Sequence, residues 1–62
     1  MNKKKFRVTV EVFYSFDSSY GMMDLYVIAL DKDDAELKAV NYVDITYGYN
    51  ISDVVSVEEV TS

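Results

Sequence analysis

The groups able to do chemistry in this 62-residue chain are eleven carboxylates, six tyrosines and six cations; it has no Cys and no His. The densest acidic run, Asp31-Lys32-Asp33-Asp34, suggests a calcium loop, but it lacks the Gly at position 6 and the distal Glu of such a loop. Helix capping accounts for its three acids instead. Glu58-Glu59 sends successive side chains to opposite faces of a strand, so unless a bulge intervenes the two carboxyls cannot work as an acid–base pair. Without His the usual general base and the commonest metal ligand are missing. Without Cys there is no thiol nucleophile, thiolate zinc site or disulfide. No Gly-rich phosphate loop, GxSxG elbow or Ser-Lys pair is present. Asn50-Ile51-Ser52 fits a glycosylation sequon, but Met1-Asn2-Lys3-Lys4-Lys5 runs into alternation and not into the apolar block of a secretory signal, so the match is expected to be a coincidence. The sequence predicts a protein that is not an enzyme and takes no metal or cofactor.

Binding chemistry remains. Lys3, Lys4, Lys5 and Arg7 are four of the six cations, so from Val8 onward only Lys32 and Lys38 stand against all eleven acids, a body charge of −9. Such a body repels nucleic-acid phosphate and attracts basic protein surfaces. The acids Asp31, Asp33, Asp34, Glu36, Asp44, Glu58 and Glu59 are the candidate partner-binding residues. Tyr20, Tyr47 and Tyr49 sit beside glycines in two expected loops, where amphipathic rings can anchor a partner. Tyr14 and Tyr42 read as core. Lys3, Lys4, Lys5, Arg7, Phe13, Tyr14 and Phe16 would make a single-strand stacking platform only if rings and cations shared an exposed face. The alternation puts Tyr14 and Phe16 on the covered face and leaves Phe13 alone, so nucleic-acid binding through the basic arm ranks third.

The elements that must position these residues follow from periodicity. Lys5 to Phe16 alternates without a break: Phe6, Val8, Val10, Val12, Tyr14 and Phe16 fall on one face of a strand. Asp17-Ser18-Ser19-Tyr20-Gly21 supplies a hairpin loop, with Gly21 able to take a positive φ. Met22 to Leu30 is a second strand, with Leu25, Val27 and Ala29 on one face and Asp24, Tyr26 and Ile28 on the other. Asp31 is a helix N-cap, acids fill the first turn, and Gly48 is a natural terminator, which places a helix over 32–47. Its apolar face is Ala35, Ala39, Tyr42, Val43 and Thr46, with Leu37 opposite. Ile51 to Val60 is a third strand, with Val55 and Val57 on one face and Val54 and Val60 on the other unless Glu58-Glu59 is bulged.

This order is β-β-α-β, an α+β fold. A right-handed crossover after the hairpin gives a three-stranded antiparallel sheet, order 2-1-3, with one helix on one face. The chain reads as one small domain, 1–62, with residues 1–4 as a frayed basic arm. No apolar run approaches the ~20 residues that span a bilayer, so a cytoplasmic protein is expected. The uncovered sheet face carries Arg7, Thr9, Glu11, Phe13, Tyr26 and Ile28. Of these, Phe13, Tyr26 and Ile28 form an expected apolar cluster at the hairpin end, a seam for a homodimer.

The segments "FRVTVEVFY", "YVIALDKDDAELKAVNYV" and "DVVSVEEV" together resemble the short β-β-α-β proteins of bacteriophages and mobile elements, among them the DpnD/PcfM-like family. That pattern runs an alternating strand into Ala, then Asp or Ser, then an acidic pair and Ala opening a helix; here these are Ala29, Asp31, Asp33, Asp34 and Ala35. The resemblance carries no catalytic residue. It implies a phage or mobile-element origin. Inhibitors of host defence, such as anti-CRISPR and anti-restriction proteins that mimic nucleic acid, are a frequent class among small acidic phage proteins. By that analogy the −9 body suggests a protein that binds and blocks a host protein with a basic surface. The alternative from the residues is a self-associating accessory module.

Overall fold

The computed structural model describes residues 2–61; Met1 and Ser62 of the expected 1–62 span, and with Met1 the start of the basic arm, lie outside them. The elements are β1 (Lys4–Tyr14), β2 (Ser19–Ala29), α1 (Lys32–Tyr47) and β3 (Asn50–Glu59). They form one antiparallel sheet in the order β2-β1-β3, with α1 on one face, as the alternation and the crossover rule require. The central strand begins at Lys4, so Lys4 belongs to the sheet and not to a frayed arm.

The core is the contact between the alternating face of β1 and a single row of the helix. Phe6, Val8, Val10 and Val12 are buried beneath Ala35, Ala39 and Val43, with Leu25 and Ala29 of β2 completing the cluster. Residues i, i+4 and i+8 lie on one line along a helix, and two of these three are alanines, so α1 approaches the sheet closely along that line. The approach is too close to bury flanking positions. Tyr42 and Thr46, expected on the core face, are exposed because each lies three residues past a buried position, at the rim of that row.

Both ends of α1 are closed. Asp31 is the N-cap, its carboxylate accepting the Asp34 N–H at 2.9 Å. Asp34 reaches back to accept the Leu30 N–H, also at 2.9 Å, a reciprocal arrangement related to the capping box. Gly48 takes the left-handed conformation (φ 70°, ψ 18°) and donates its N–H to the carbonyls of Val43 and Asp44.

The hairpin is tighter than its sequence suggests. The turn occupies residues 15–18, and Ser18, not Gly21, takes the positive φ, at 57°. Phe16 therefore leaves the strand and is 80% exposed, while Tyr20 and Gly21 enter β2. Gly21 has a different role: a Cβ there would meet the Tyr14 ring at 2.6 Å, so its missing side chain is what lets that ring lie across β2.

β3 shows the largest departure. Val10 pairs with Val54 but Thr9 with Ser56, and Glu11 pairs with Asp53 but Val12 with Ile51, so Val55 and Ser52 are each extra residues. These two bulges, rather than one at Glu58-Glu59, turn Ile51, Val54 and Val57 onto the core and put Val55 outside. The expected pairing of Val55 with Val57 on one face is thereby corrected.

Val10 is fully buried on the central strand. Val10→Asp leaves a charge there without a partner, at a cost of several kcal/mol against a total of about 5 for a domain this small. The expected result is loss of the cooperative thermal transition by circular dichroism; a cooperative melt would mean that the other face of β1 is the buried one.

Candidate protein-binding surface

The register decides which residues share an end of this molecule, which measures 42 × 19 × 16 Å. Lys4 lies opposite Ala29, and Phe6 opposite Glu59, at one end; Phe13 lies opposite Tyr20 and Asn50 at the other. The helix starts at the first end and finishes at the second.

The first end holds all six cations and six of the eleven acids: Asp31, Asp33, Asp34, Glu36, Glu58 and Glu59. Most of these acids are already engaged. Glu58 pairs with the Arg7 guanidinium, and Glu59 with Lys4 at 3.7 Å. Asp31 caps the helix. Asp34 holds the Leu30 N–H and the Lys38 ammonium, the latter at 3.2 Å. The Leu30 hydrogen bond first, and Lys38 second, hold the Asp34 carboxyl below its ordinary range. Lys38 also donates to the Ile28 carbonyl at 3.1 Å. Asp33 and Glu36 have no side-chain partner among the described residues. The acids singled out from the sequence thus sit mostly where the cations cancel them.

The other half of the molecule carries the remaining five acids and no cation: Asp17, Asp44 and Asp53 toward the second end, with Asp24 at mid-strand and Glu11 just beyond it. The chain's net charge of −5 falls here. Hydroxyls and N–H groups hold some of these carboxylates without neutralising them. Thr9 donates to Asp24 at 2.6 Å, Ser52 to Glu11 at 2.8 Å, and the Ser19 N–H to Asp17 at 3.1 Å.

Seven of the nine aromatic rings gather at this same end. On the helix side, five form a continuous run. Tyr42 meets Tyr47 edge-on at 6.2 Å between centroids, Tyr47 stacks on Tyr49 at 5.4 Å, Tyr49 meets Tyr14 edge-on at 4.9 Å, and Tyr14 meets Phe16 at 5.8 Å. Tyr14 and Tyr49 form its half-buried centre; Phe16, Tyr42 and Tyr47 are its exposed members. Tyr42, expected in the core, instead belongs to this surface. On the open face Phe13 packs against Tyr20 at 5.2 Å.

Tyr47 and Tyr49 therefore come together, but only Tyr49 is a loop residue: Tyr47 ends α1, and Tyr20 is a strand residue on the opposite face. The expected cluster of Phe13, Tyr26 and Ile28 is not formed. Tyr26 and Ile28 lie opposite Arg7 and Lys5, about 20 Å along the strand from Phe13, and the Lys5 ammonium sits 5.3 Å from the Tyr26 ring. The Thr9–Asp24 and Glu11–Ser52 hydrogen bonds form a polar band between the two apolar patches. Asp17, Asp53 and the exposed ring of Phe16, which the sequence does not single out, lie at the same end as Tyr47 and Tyr49. Antiparallel topology alone brings residues 13–20 together with 44–53, and that was the signal available.

Among the described residues no group of three or more His, Cys, Asp or Glu comes together to hold a metal ion, and no helix is long and apolar enough to cross a membrane. Comparison with family models, curated proteins and solved structures found no match to this chain.

The depressed Asp34 carboxyl makes a pH prediction. A carboxylate whose folded pKa lies below its unfolded value stabilises the fold fully above the ordinary range near ~4, and that stability is lost as pH falls through the folded value. Asp34→Asn should lower the melting temperature at pH 7 and leave it close to the parent's at pH 2. A gap between parent and variant that stays constant over this range would show that the Asp34 charge contributes nothing.

Proposed function

We propose that this chain is a non-catalytic binding protein that docks its anionic, tyrosine-rich end on a basic surface of a protein partner. The observation that carries this reading is the segregation of charge: one half of a 42 Å molecule holds five acids and no cation, and Asp17, Asp44 and Asp53 share its end with seven rings. Arginine suits such a surface because its planar guanidinium can stack on a tyrosine face while its N–H fork meets a carboxylate. Exposed Phe16, Tyr42 and Tyr47 supply apolar area, and Asp17 and Asp44 stand beside the rings in sequence. The two ends lie farther apart than the ~8 Å screening length at physiological salt, so the balanced charges of the first end do not mask the second.

A basic surface of this kind is what a nucleic-acid-handling protein offers to phosphate. The resemblance to phage and mobile-element proteins adds a setting: a small acidic protein in the cytoplasm of a bacterial host that occupies such a groove and blocks it. The acids of the helix start, engaged in caps and ion pairs, have a structural role in this reading.

Binding to the host protein captured from bacterial lysate, followed by surface plasmon resonance, tests it. Changing Asp17, Asp44 and Asp53 together to Lys should slow association by about tenfold or more and flatten its salt dependence, since steering acts on encounter. A cation at position 44 is favourable to the helix C-terminus, so this variant is expected to fold. Phe16→Ala and Tyr47→Ala should speed dissociation. Changing Asp33, Asp34 and Glu36 to Lys should affect the rate less, once the folded fraction is matched. If that set slows association more than the first, the helix start is the binding site and the anionic end is not.

A further inference from the structure

A three-stranded sheet has two edges, and this one protects only one of them. β3 is interrupted by bulges at Ser52 and Val55 and carries Asp53, Glu58 and Glu59, all features that discourage another strand from adding. β2 pairs with β1 over eleven residues without a shift and has one charged residue, Asp24. Val60 donates its N–H to the Lys5 carbonyl, so the backbone of Lys5 faces β3 and the next residue, Phe6, faces β2. Alternation along β1 then gives its even-numbered residues to β2. Their partners Val27, Leu25, Met23 and Gly21 bond inward, leaving the N–H and C=O groups of Tyr20, Met22, Asp24, Tyr26 and Ile28 pointing outward.

The outer end of this edge is closed by the helix. Lys38 takes the Ile28 carbonyl, Asp34 takes the Leu30 N–H, and the two side chains pair with each other. The open stretch is therefore Tyr20 to Tyr26. Above it a cleft of about 330 Å³ separates Met23, Leu25 and Val27 of β2 from Tyr42 and Tyr47 of α1.

We infer that this edge is the interface of a homodimer, in which β2 pairs antiparallel with β2 of a second copy about a two-fold axis at Met23. The open stretch is self-complementary about that residue. Tyr20 meets Tyr26 of the copy and Met22 meets Asp24 of the copy, so every free group between 20 and 26 finds a partner and no two Asp24 side chains face each other. Pairing stops where Lys38 blocks Ile28. The antiparallel arrangement also lays the cation-bearing end of each copy beside the anionic end of the other. In the resulting six-stranded sheet the two helices stand three strand spacings apart, roughly 14 Å. Directly packed helices are about 8–10 Å apart; the bulky Tyr42 and Tyr47 rings occupy the difference, and the two clefts merge above Met23.

The buried strip is roughly 20 Å long and of similar depth, on the order of 400 Å² on each copy. That is about half the ~800 Å² of a standard interface, so the dimer is a concentration-dependent one. The bulged β3 edges cap both ends of the new sheet and stop growth at two copies. This inference shares Tyr42 and Tyr47 with the proposed partner surface but is argued from the strand edge alone, and it leaves Phe16, Asp17, Asp44 and Asp53 of that surface free. It adds that each dimer presents two anionic, tyrosine-rich ends at opposite poles.

The test uses sedimentation and a chain that has no native cysteine. The parent should sediment as a dimer at about 1 mM and dissociate on dilution. Met22→Pro removes only an outward N–H, a change that edge strands tolerate, and should give a monomer with parent-like circular dichroism. Met23→Cys places two thiols across the axis, at a Cα separation near 4.5 Å that admits a disulfide, and should cross-link readily on mild oxidation. Leu25→Cys, facing Gly21 of the copy in this register, should not. A parent monomeric at about 1 mM overturns the inference. So does a folded Met22→Pro protein that dimerises like the parent, or a Leu25→Cys variant that cross-links in preference to the Met23→Cys variant. If Phe13→Lys abolishes the dimer while Met22→Pro does not, the seam is the open sheet face instead.

Discussion

One face of β1 holds the structure together. Phe6, Val8, Val10 and Val12 are each at most 2% exposed, and every other element is placed by its need to cover them. Their period of two makes the strand central, because only a strand flanked on both edges and roofed on one face can bury four successive inward side chains. The roof is a helix whose inward row begins with two alanines, which sets a close approach and a narrow contact. A chain of 62 residues has little apolar area to bury, and it concentrates that area in nine residues where β1, β2 and α1 meet.

Legibility in the sequence follows how local each determinant is. The helix bounds 32–47 were readable because Asp31 and Gly48 act on the backbone within a turn of themselves. The strand order was readable because the crossover rule leaves few arrangements. β3 was misread because its inward residues, Ile51, Val54 and Val57, recur every third position, a spacing that matches neither a flat strand nor a helix face. Two bulges each insert one residue between inward positions and generate that spacing. Gly21 was misread for the opposite reason. Its use is a tertiary contact with the Tyr14 ring, and its neighbours in sequence give no sign of it.

The candidate surface was half legible. Tyr47 and Tyr49 are legible from their places on either side of Gly48, whereas density along the chain points to the acids of the helix start and the end of β3. Density in sequence and field in space separate here, since antiparallel pairing returns Glu58 to Arg7 and Glu59 to Lys4. The basic N-terminus and the acidic C-terminal strand looked like an asymmetry and are largely a neutral pair. The charge that remains unbalanced comes from isolated acids, Glu11, Asp17, Asp24, Asp44 and Asp53, none of which belongs to a run.

The same segregation bears on why one sheet edge is left open. Short edges, bulges and charges suppress strand addition, and natural sheets generally apply one of them to each edge. Here the acids of β3 neutralise the cations of β1, and its bulges turn Ile51, Val54 and Val57 inward, so the protection of that edge is a by-product of core packing. β2 cannot be treated the same way. A bulge there would shift Leu25 or Ala29 off the core, and a lysine at Tyr26 or Ile28 would crowd Lys5 and Arg7. The helix supplies the only protection available, at Ile28 and Leu30 through Lys38 and Asp34, and it reaches no further because α1 is held over β1 by Ala35 and Ala39. The open stretch from Tyr20 to Tyr26 is thus a consequence of the close helix approach on which the core depends, and a second β2 satisfies it without altering that core.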